Sequence, residues 1–283
     1  MTGRPPDFGG FSEVDRTGAA EAYAGYLDGV RGMDAVAEWK ERSFGLLEAR
    51  PGAHLLDVGC GTGDDVLALA ARVHPGGRAT GIDASGAMID EARRRAGSRE
   101  DVAFSVGDAA RLPLADATVD GCRAERTLQH VERPEVAVAV AEMVRVTRPG
   151  GRVVAAEPDW GTLVFDAEDL EVTRAVAAAA AQRLRSGTVG RALRGMLVGA
   201  GLREVSVTAR TLVVTDRRAA ETLLDIGGAA ARAVEGGLIA PDRARAWTAG
   251  LDRAAAEGRF LAAMTAFMAW GRAPGGHRGA GRA

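Results

Sequence analysis

A chain of 283 residues, 47% hydrophobic and 26% charged, is long enough for one large domain with its own core plus a cap, and that is the organisation expected here. A formal charge of −2 with no basic stripe argues against a nucleic-acid partner, and no apolar stretch reaches the length of a membrane span. The start, MTGRPPDFGG, lacks a charged-then-apolar signal pattern, so a soluble cytoplasmic protein without membrane contact is expected.

Residues 1–18 are rich in Gly, Pro and polar residues and are expected to be flexible. From Ala19 the pattern turns helical: Tyr23, Tyr26, Leu27, Val30, Met33, Val36 and Trp39 are spaced as one apolar face, which predicts two helices and an N-terminal helical cap over 19–50. Tyr23, Tyr26 and Trp39 are candidates for an acceptor pocket.

His54 to Gly63 reads HLLDVGCGTG, an apolar strand that ends abruptly in Gly59, Gly61 and Gly63. Asp64 is a candidate N-cap for a helix that stops at His74-Pro75-Gly76-Gly77. Strand, glycine loop and helix together make a ligand-binding unit, because glycines permit the sharp turn and let a flat ligand lie against backbone. Cys60, inside the loop, and Cys122, in a later apolar run, are the two cysteines; neither a disulfide framework nor a metal site is expected.

Alternation follows. Arg78–Asp83 predicts a second strand, Ser85 caps a helix to about Ala96, and Asp101–Val106 predicts a third strand closed by Gly107-Asp108-Ala109. A fourth begins at Thr118, a helix spans Pro134–Thr147, and Arg152–Ala156 is a fifth strand. Strands alternating with helices imply an α/β fold with a parallel sheet covered on both faces. Helices are expected over Glu168–Leu184 and Gly190–Ala200, a strand over Leu202–Thr215, and a helical insertion over about 217–257. The last apolar run, Arg259–Gly271, is read as a final strand, and 274–283 as a disordered tail.

Asp83 stands at the end of the second strand, where a carboxylate can accept hydrogen bonds from both ribose hydroxyls of an adenosine held on the glycine loop. A dehydrogenase would fit these residues equally well. The segments LLDVGCGTG, GIDAS, GDAARLPLADATVD, LQHVERP and VTRPGGRVVAAEP, in order from about Ala53 to Pro158, separate the cases. In them the chain resembles the class I S-adenosylmethionine-dependent methyltransferases, in the small-molecule branch of ubiquinone/menaquinone-type and natural-product tailoring enzymes.

The resemblance implies a Rossmann-like, seven-stranded, mostly parallel sheet with the last strand antiparallel, a methyltransferase domain over 51–273, and S-adenosyl-L-methionine as cofactor. It implies that Asp57, Gly59, Gly61 and Gly63 face the methionine and ribose portions and that Asp83 takes the ribose hydroxyls. Ala84 and Met88 would flank the adenine, with Asp108 and Ala109 on its polar edge. Arg126 is a candidate for the cofactor carboxylate or an acidic substrate. His130 and Glu157, just past the fourth and fifth strands, are the candidate bases. Gln129-His130 departs from the paired histidines frequent in quinone enzymes, so quinone chemistry is not implied. Trp160, Leu163 and Phe165 are candidates for an apolar acceptor pocket.

The function expected is methyl transfer to O, N or C of a small, largely apolar metabolite, with secondary metabolism as its setting. The second reading is the same scaffold turned to cyclisation or rearrangement without methyl transfer. Oligomeric state is not legible, and a homodimer is compatible.

Overall fold

A computed structural model describes residues 8–275. A 3₁₀ segment at Phe8–Glu13 leads into the short helix α1 (Val14–Thr17), so the part of the expected flexible N-terminus that is described is helical. Residues 1–7, and 276–283 of the expected tail, lie outside the described residues. Next come α2 (Ala20–Arg31) and α3 (Asp34–Leu46), the two helices of the cap.

Strand β1 (His54–Val58) is buried at every position, as befits a central strand covered on both faces. It passes through the glycine loop to α4 (Asp64–Val73), β2 (Arg78–Asp83), α5 (Gly86–Ala96) and β3 (Val102–Val106). Gly63 rather than Asp64 occupies the N-cap of α4, and no side chain caps that helix. The chain then crosses the sheet to β4 (Val119–Glu125), α6 (Val136–Val146) and β5 (Thr147–Phe165). It continues through α7 (Leu170–Gln182), α8 (Leu193–Gly199) and β6 (Arg203–Val214). Helices α9 (Arg217–Leu224), α10 (Ile226–Glu235) and α11 (Pro241–Ala256) precede the final strand, β7 (Ala262–Arg272).

The seven strands lie in the order β3-β2-β1-β4-β5-β7-β6, with β7 antiparallel to both neighbours. The strand order reverses between β1 and β4, which opens a crevice at their carboxyl ends. One face of the sheet packs Phe44, Val66, Leu69 and Ile89 from α3, α4 and α5. The other packs Val140 and Met143 of α6 against Leu193 and Leu197 of α8.

The fifth strand is far longer than the predicted Arg152–Ala156 and runs on through Pro158 and Gly161. Its extension carries Trp160, Leu163 and Phe165 into a second core built with α7, α9, α10 and α11, where Phe165 meets Trp247 edge-on at 5.4 Å. Leu163 and Phe165 therefore belong to that core and not to the acceptor pocket expected from sequence.

Candidate active site

The glycine loop is shaped by residues that only glycine suits. Gly59 and Gly61 have φ of 73° and 51°, a region that side chains disfavour. A Cβ on Gly59 would fall 2.2 Å from Thr127 Oγ1, so this glycine lets the loop after β4 close against the loop after β1. A Cβ on Gly61 would lie 3.1 Å from Leu27 of α2, so the N-terminal helices roof the loop. Gly63, with φ of 80°, packs on Phe104 and Ala92 and does not reach the cavity, which corrects the expectation from sequence.

At the end of β2, Asp83 is fixed from two sides. Gly61 N–H donates to Oδ2 at 2.8 Å and Ser85 N–H to Oδ1 at 2.9 Å. A carboxylate has about four lone-pair sites, so with Ala84 N–H as a third donor Asp83 still keeps acceptor capacity for a ligand. Burial pushes the Asp83 carboxyl above its ordinary range, against the pull of these donors. Ala84, Met88, Asp108 and Ala109 line the same cavity, and Asp108 Oδ1 is held by Ala110 N–H at 2.8 Å.

Ser85 caps α5 by accepting from Met88 N–H at 3.1 Å, and the cap is doubled from far along the chain. Asp15 of α1 accepts from the Ser85 hydroxyl at 2.5 Å and from Gly86 and Ala87 N–H at 2.9 and 3.2 Å. The Ser85 hydroxyl, with the two backbone donors, holds the Asp15 carboxyl below its ordinary range.

Beneath the loop lies a charge cluster. Arg123 of β4, 1% exposed, reaches Asp57 at 2.8 Å and Asp65 at 3.1 Å, pairs with Glu125, and donates to Ser43 Oγ at 2.8 Å. Lys40 of α3 pairs with Asp65 and lies 3.6 Å from Glu125. Burial raises the Asp57 carboxyl despite Arg123. Burial also disfavours charge on Asp65, but Arg123 and Lys40 outweigh it and hold that carboxyl low.

The opposite end of the cavity is formed after β4 and β5. Arg126 adopts φ of 52°, its N–H bonded to Ala156 O at 2.9 Å, and its side chain bonds the Tyr26 hydroxyl. Burial drives the His130 imidazole down to about 3, with Arg126, Arg183 and Arg185 adding to the effect, so the ring is neutral. Glu157, 0% exposed, accepts from Thr127 and Leu128 N–H through Oε1 at 2.8 and 2.6 Å. Its Oε2 has no hydrogen-bond partner among the described residues. Burial pushes its carboxyl up to about 8. Trp160 donates from Nε1 to Gln129 Oε1 at 2.9 Å, and the Arg183 guanidinium lies 4.3 Å over its ring.

A cavity of about 430 Å³ joins the two ends. Asp57, Gly59, Gly61, Asp83, Ala84, Met88, Asp108, Ala109, Arg126, His130 and Glu157 all line it, as do Tyr26, Trp39 and Trp160. Tyr23 does not: it is 3% exposed and packs against Met88, Val14 and Phe11, with the Phe11 ring 4.6 Å away. Burial raises both cysteine thiols well above their usual value, which disfavours the thiolate.

The residues fit S-adenosylmethionine on two counts. Asp83 has acceptor capacity left at the strand end where a ribose would lie. Beside it, Ala84 and Met88 give apolar surface and Asp108 a carboxylate, which suits the flat, polar-edged base of an adenosine. Sequence reasoning missed the Arg123 cluster and Asp15. Arginine in the middle of an apolar central strand was a legible signal, because such a charge must find buried partners.

A family described as "Methyltransferase domain" matches residues 55–151. An uncharacterized 37.1 kDa protein in transposon TN4556 of Streptomyces fradiae is 41% identical over 244 residues, 86% of this chain and 69% of that protein. A demethylmenaquinone methyltransferase of Beutenbergia cavernae is 42% identical over 132 residues, 46% of this chain and 51% of that protein. The chain thus spans only about half the length of that relative. Among solved structures, a geranyl diphosphate methyltransferase in complex with GPP and sinefungin shares the fold, with a TM-score of 0.52 at 20% identity over 83% of this chain and 78% of that one. Among the described residues, no helix is long and apolar enough to cross a membrane.

Proposed function

The chain belongs to the class I S-adenosylmethionine-dependent methyltransferases, and from that premise we propose that it methylates an O, N or C atom of a small, largely apolar metabolite, as a cytoplasmic enzyme of secondary metabolism. The observation that carries this reading is the single cavity that joins Asp83 and Asp108, beside the glycine loop, to the free Oε2 of Glu157. Asp83, Asp108, Ala109, Ala84 and Met88 would hold the nucleoside portion, and Asp57 with Gly59 and Gly61 the remainder.

The cofactor supplies a methyl group already activated on a sulfonium. What is left to the chain is to align the acceptor and exclude water, and the roof of α2 and α3 over the loop serves both. Where the acceptor atom carries a proton, Glu157 Oε2 takes it. A base works best when its pKa lies near the working pH, which favours Glu157 over His130, whose imidazole stays neutral down to about 3.

Calorimetric titration with S-adenosylmethionine and S-adenosylhomocysteine tests the reading, and failure to bind either would sink it. With binding established, incubation of candidate acceptors with methyl-labelled cofactor separates transfer from cyclisation, since only transfer yields labelled product.

A further inference from the structure

Arginines gather at the end of the cavity away from the glycine loop. Carboxylates crowd the glycine loop, whereas the groups that act on His130 at the other end are all arginines: Arg126, Arg183 and Arg185. Two of these have carboxylates of their own. Arg183 meets Asp225 at 3.1 Å, and Arg185 meets Glu13 at 3.1 Å and Glu132 at 3.3 Å. Arg126 forms no ion pair among the described residues.

Glu157 does not pair with it: Oε1 accepts from Thr127 and Leu128 N–H, and Oε2 has no hydrogen-bond partner among the described residues. Glu125, one residue earlier, is committed to Arg123 and Lys40. The Arg126 side chain bonds the Tyr26 hydroxyl, a neutral partner, and of the carboxylates near the glycine loop it acts only at a distance on Asp65, without forming an ion pair with it. Its backbone is held in the left-handed region and anchored to Ala156 O, so the guanidinium is presented from a fixed point. The same cavity has apolar lining from Leu212, Leu223, Leu224 and Met264.

A half-buried guanidinium with no ion pair, lining a cavity that also has apolar walls, favours an anion, and its fork matches a carboxylate in two parallel hydrogen bonds. Resting on the methyl-transfer reading, we infer that the acceptor is an organic acid: an apolar body with one carboxylate, the body against the leucine wall and the carboxylate on Arg126. Arg126 is then a specificity-determining residue for the acceptor and not a holder of the cofactor carboxylate.

The test uses the full chain saturated with S-adenosylhomocysteine and calorimetric titration with matched probes: 3-phenylpropionate and 5-phenylpentanoate, each against its primary amide. The expected result is that at least one acid binds tenfold or more tightly than its amide, and that Arg126→Gln removes this preference while S-adenosylhomocysteine binds within about twofold of the parent. Failure of every acid to exceed its amide overturns the inference while leaving the methyltransferase reading intact. A tenfold loss of S-adenosylhomocysteine affinity in Arg126→Gln also overturns it, by giving Arg126 to the cofactor. If the parent chain binds no S-adenosylhomocysteine, the methyl-transfer reading falls first and the inference with it.

Discussion

Glu157 is fastened to Leu128 by a 2.6 Å hydrogen bond from backbone N–H to Oε1, so one carboxyl oxygen is fixed to the loop after β4 while the other is left without a partner among the described residues. The arrangement orients a proton-accepting oxygen without spending it on the protein.

The consequence for stability has a definite sign. The Glu157 carboxyl lies near 8 in the fold against an ordinary value of 4.5, so between those limits the folded state holds a proton that the unfolded chain has lost. Stability of the ligand-free protein should therefore fall as pH rises from about 4.5 to about 8, by at most about 1.4 kcal/mol per pH unit from this group, and level off above. Urea denaturation at pH 5 to 9 should show this slope reduced in Glu157→Gln. In turnover with labelled cofactor, the same variant should lose roughly 10²–10⁴-fold on a proton-bearing acceptor, and His130→Gln should lose no more than about tenfold; the reverse ranking would give the base to His130.

Asp83→Ala should weaken S-adenosylhomocysteine binding by about 1–3 kcal/mol, the range for a buried hydrogen-bonding group deprived of its partner. Calorimetry reads it directly, and an unchanged affinity would remove Asp83 from the site.

Replacing Arg123 by Met should cost about 3–5 kcal/mol of stability, since it leaves Asp57, Asp65 and Glu125 buried with Lys40 alone to answer them. The deficit should shrink at mild acid pH, where the stranded carboxylates can protonate. A denaturation midpoint equal to the parent's would mean that solvent reaches the cluster.

Asp15→Ala should destabilise the protein by about 0.5–1 kcal/mol, the lower part of the range for a lost helix cap, because the residue is exposed. Asp15 has a depressed pKa, so its contribution is present above its ordinary value of 3.8 and disappears as pH falls through the lower folded value. Faster hydrogen exchange at Gly86 and Ala87 N–H in the variant would locate the effect; unchanged exchange there would show that Ser85 caps α5 alone.

The frame of the fold was legible because its signals are local. Val58 passing into three glycines, Asp83 closing one strand and Asp108 following the next are set by backbone chemistry at those positions, and the strands at Arg78–Asp83 and Leu202–Thr215 follow from their apolar patterns. What was misread depended on partners distant in sequence. Tyr23 and Tyr26 share a helical face, and only the position of Phe11 and Met88 sends one into the core and the other to the cavity. The fifth strand reads as ending at Ala156, yet β5 continues because β7 pairs with it beyond that point, Pro158 opposite Ala266 and, after an irregularity between Asp159 and Val164, Val164 opposite Ala263. Gly63 resembled its neighbours in the loop but answers to Phe104, contributed by a strand outside its own unit.

The contact between Leu27 and Gly61 ties the floor of the cavity to its ceiling. A side chain at position 61 would be strained by φ of 51° and would crowd a leucine methyl 3.1 Å from its first carbon. The thinness of the loop is thus what lets α2 settle onto it, and one missing carbon fixes both the surface on which a ligand rests and the height of the space above it.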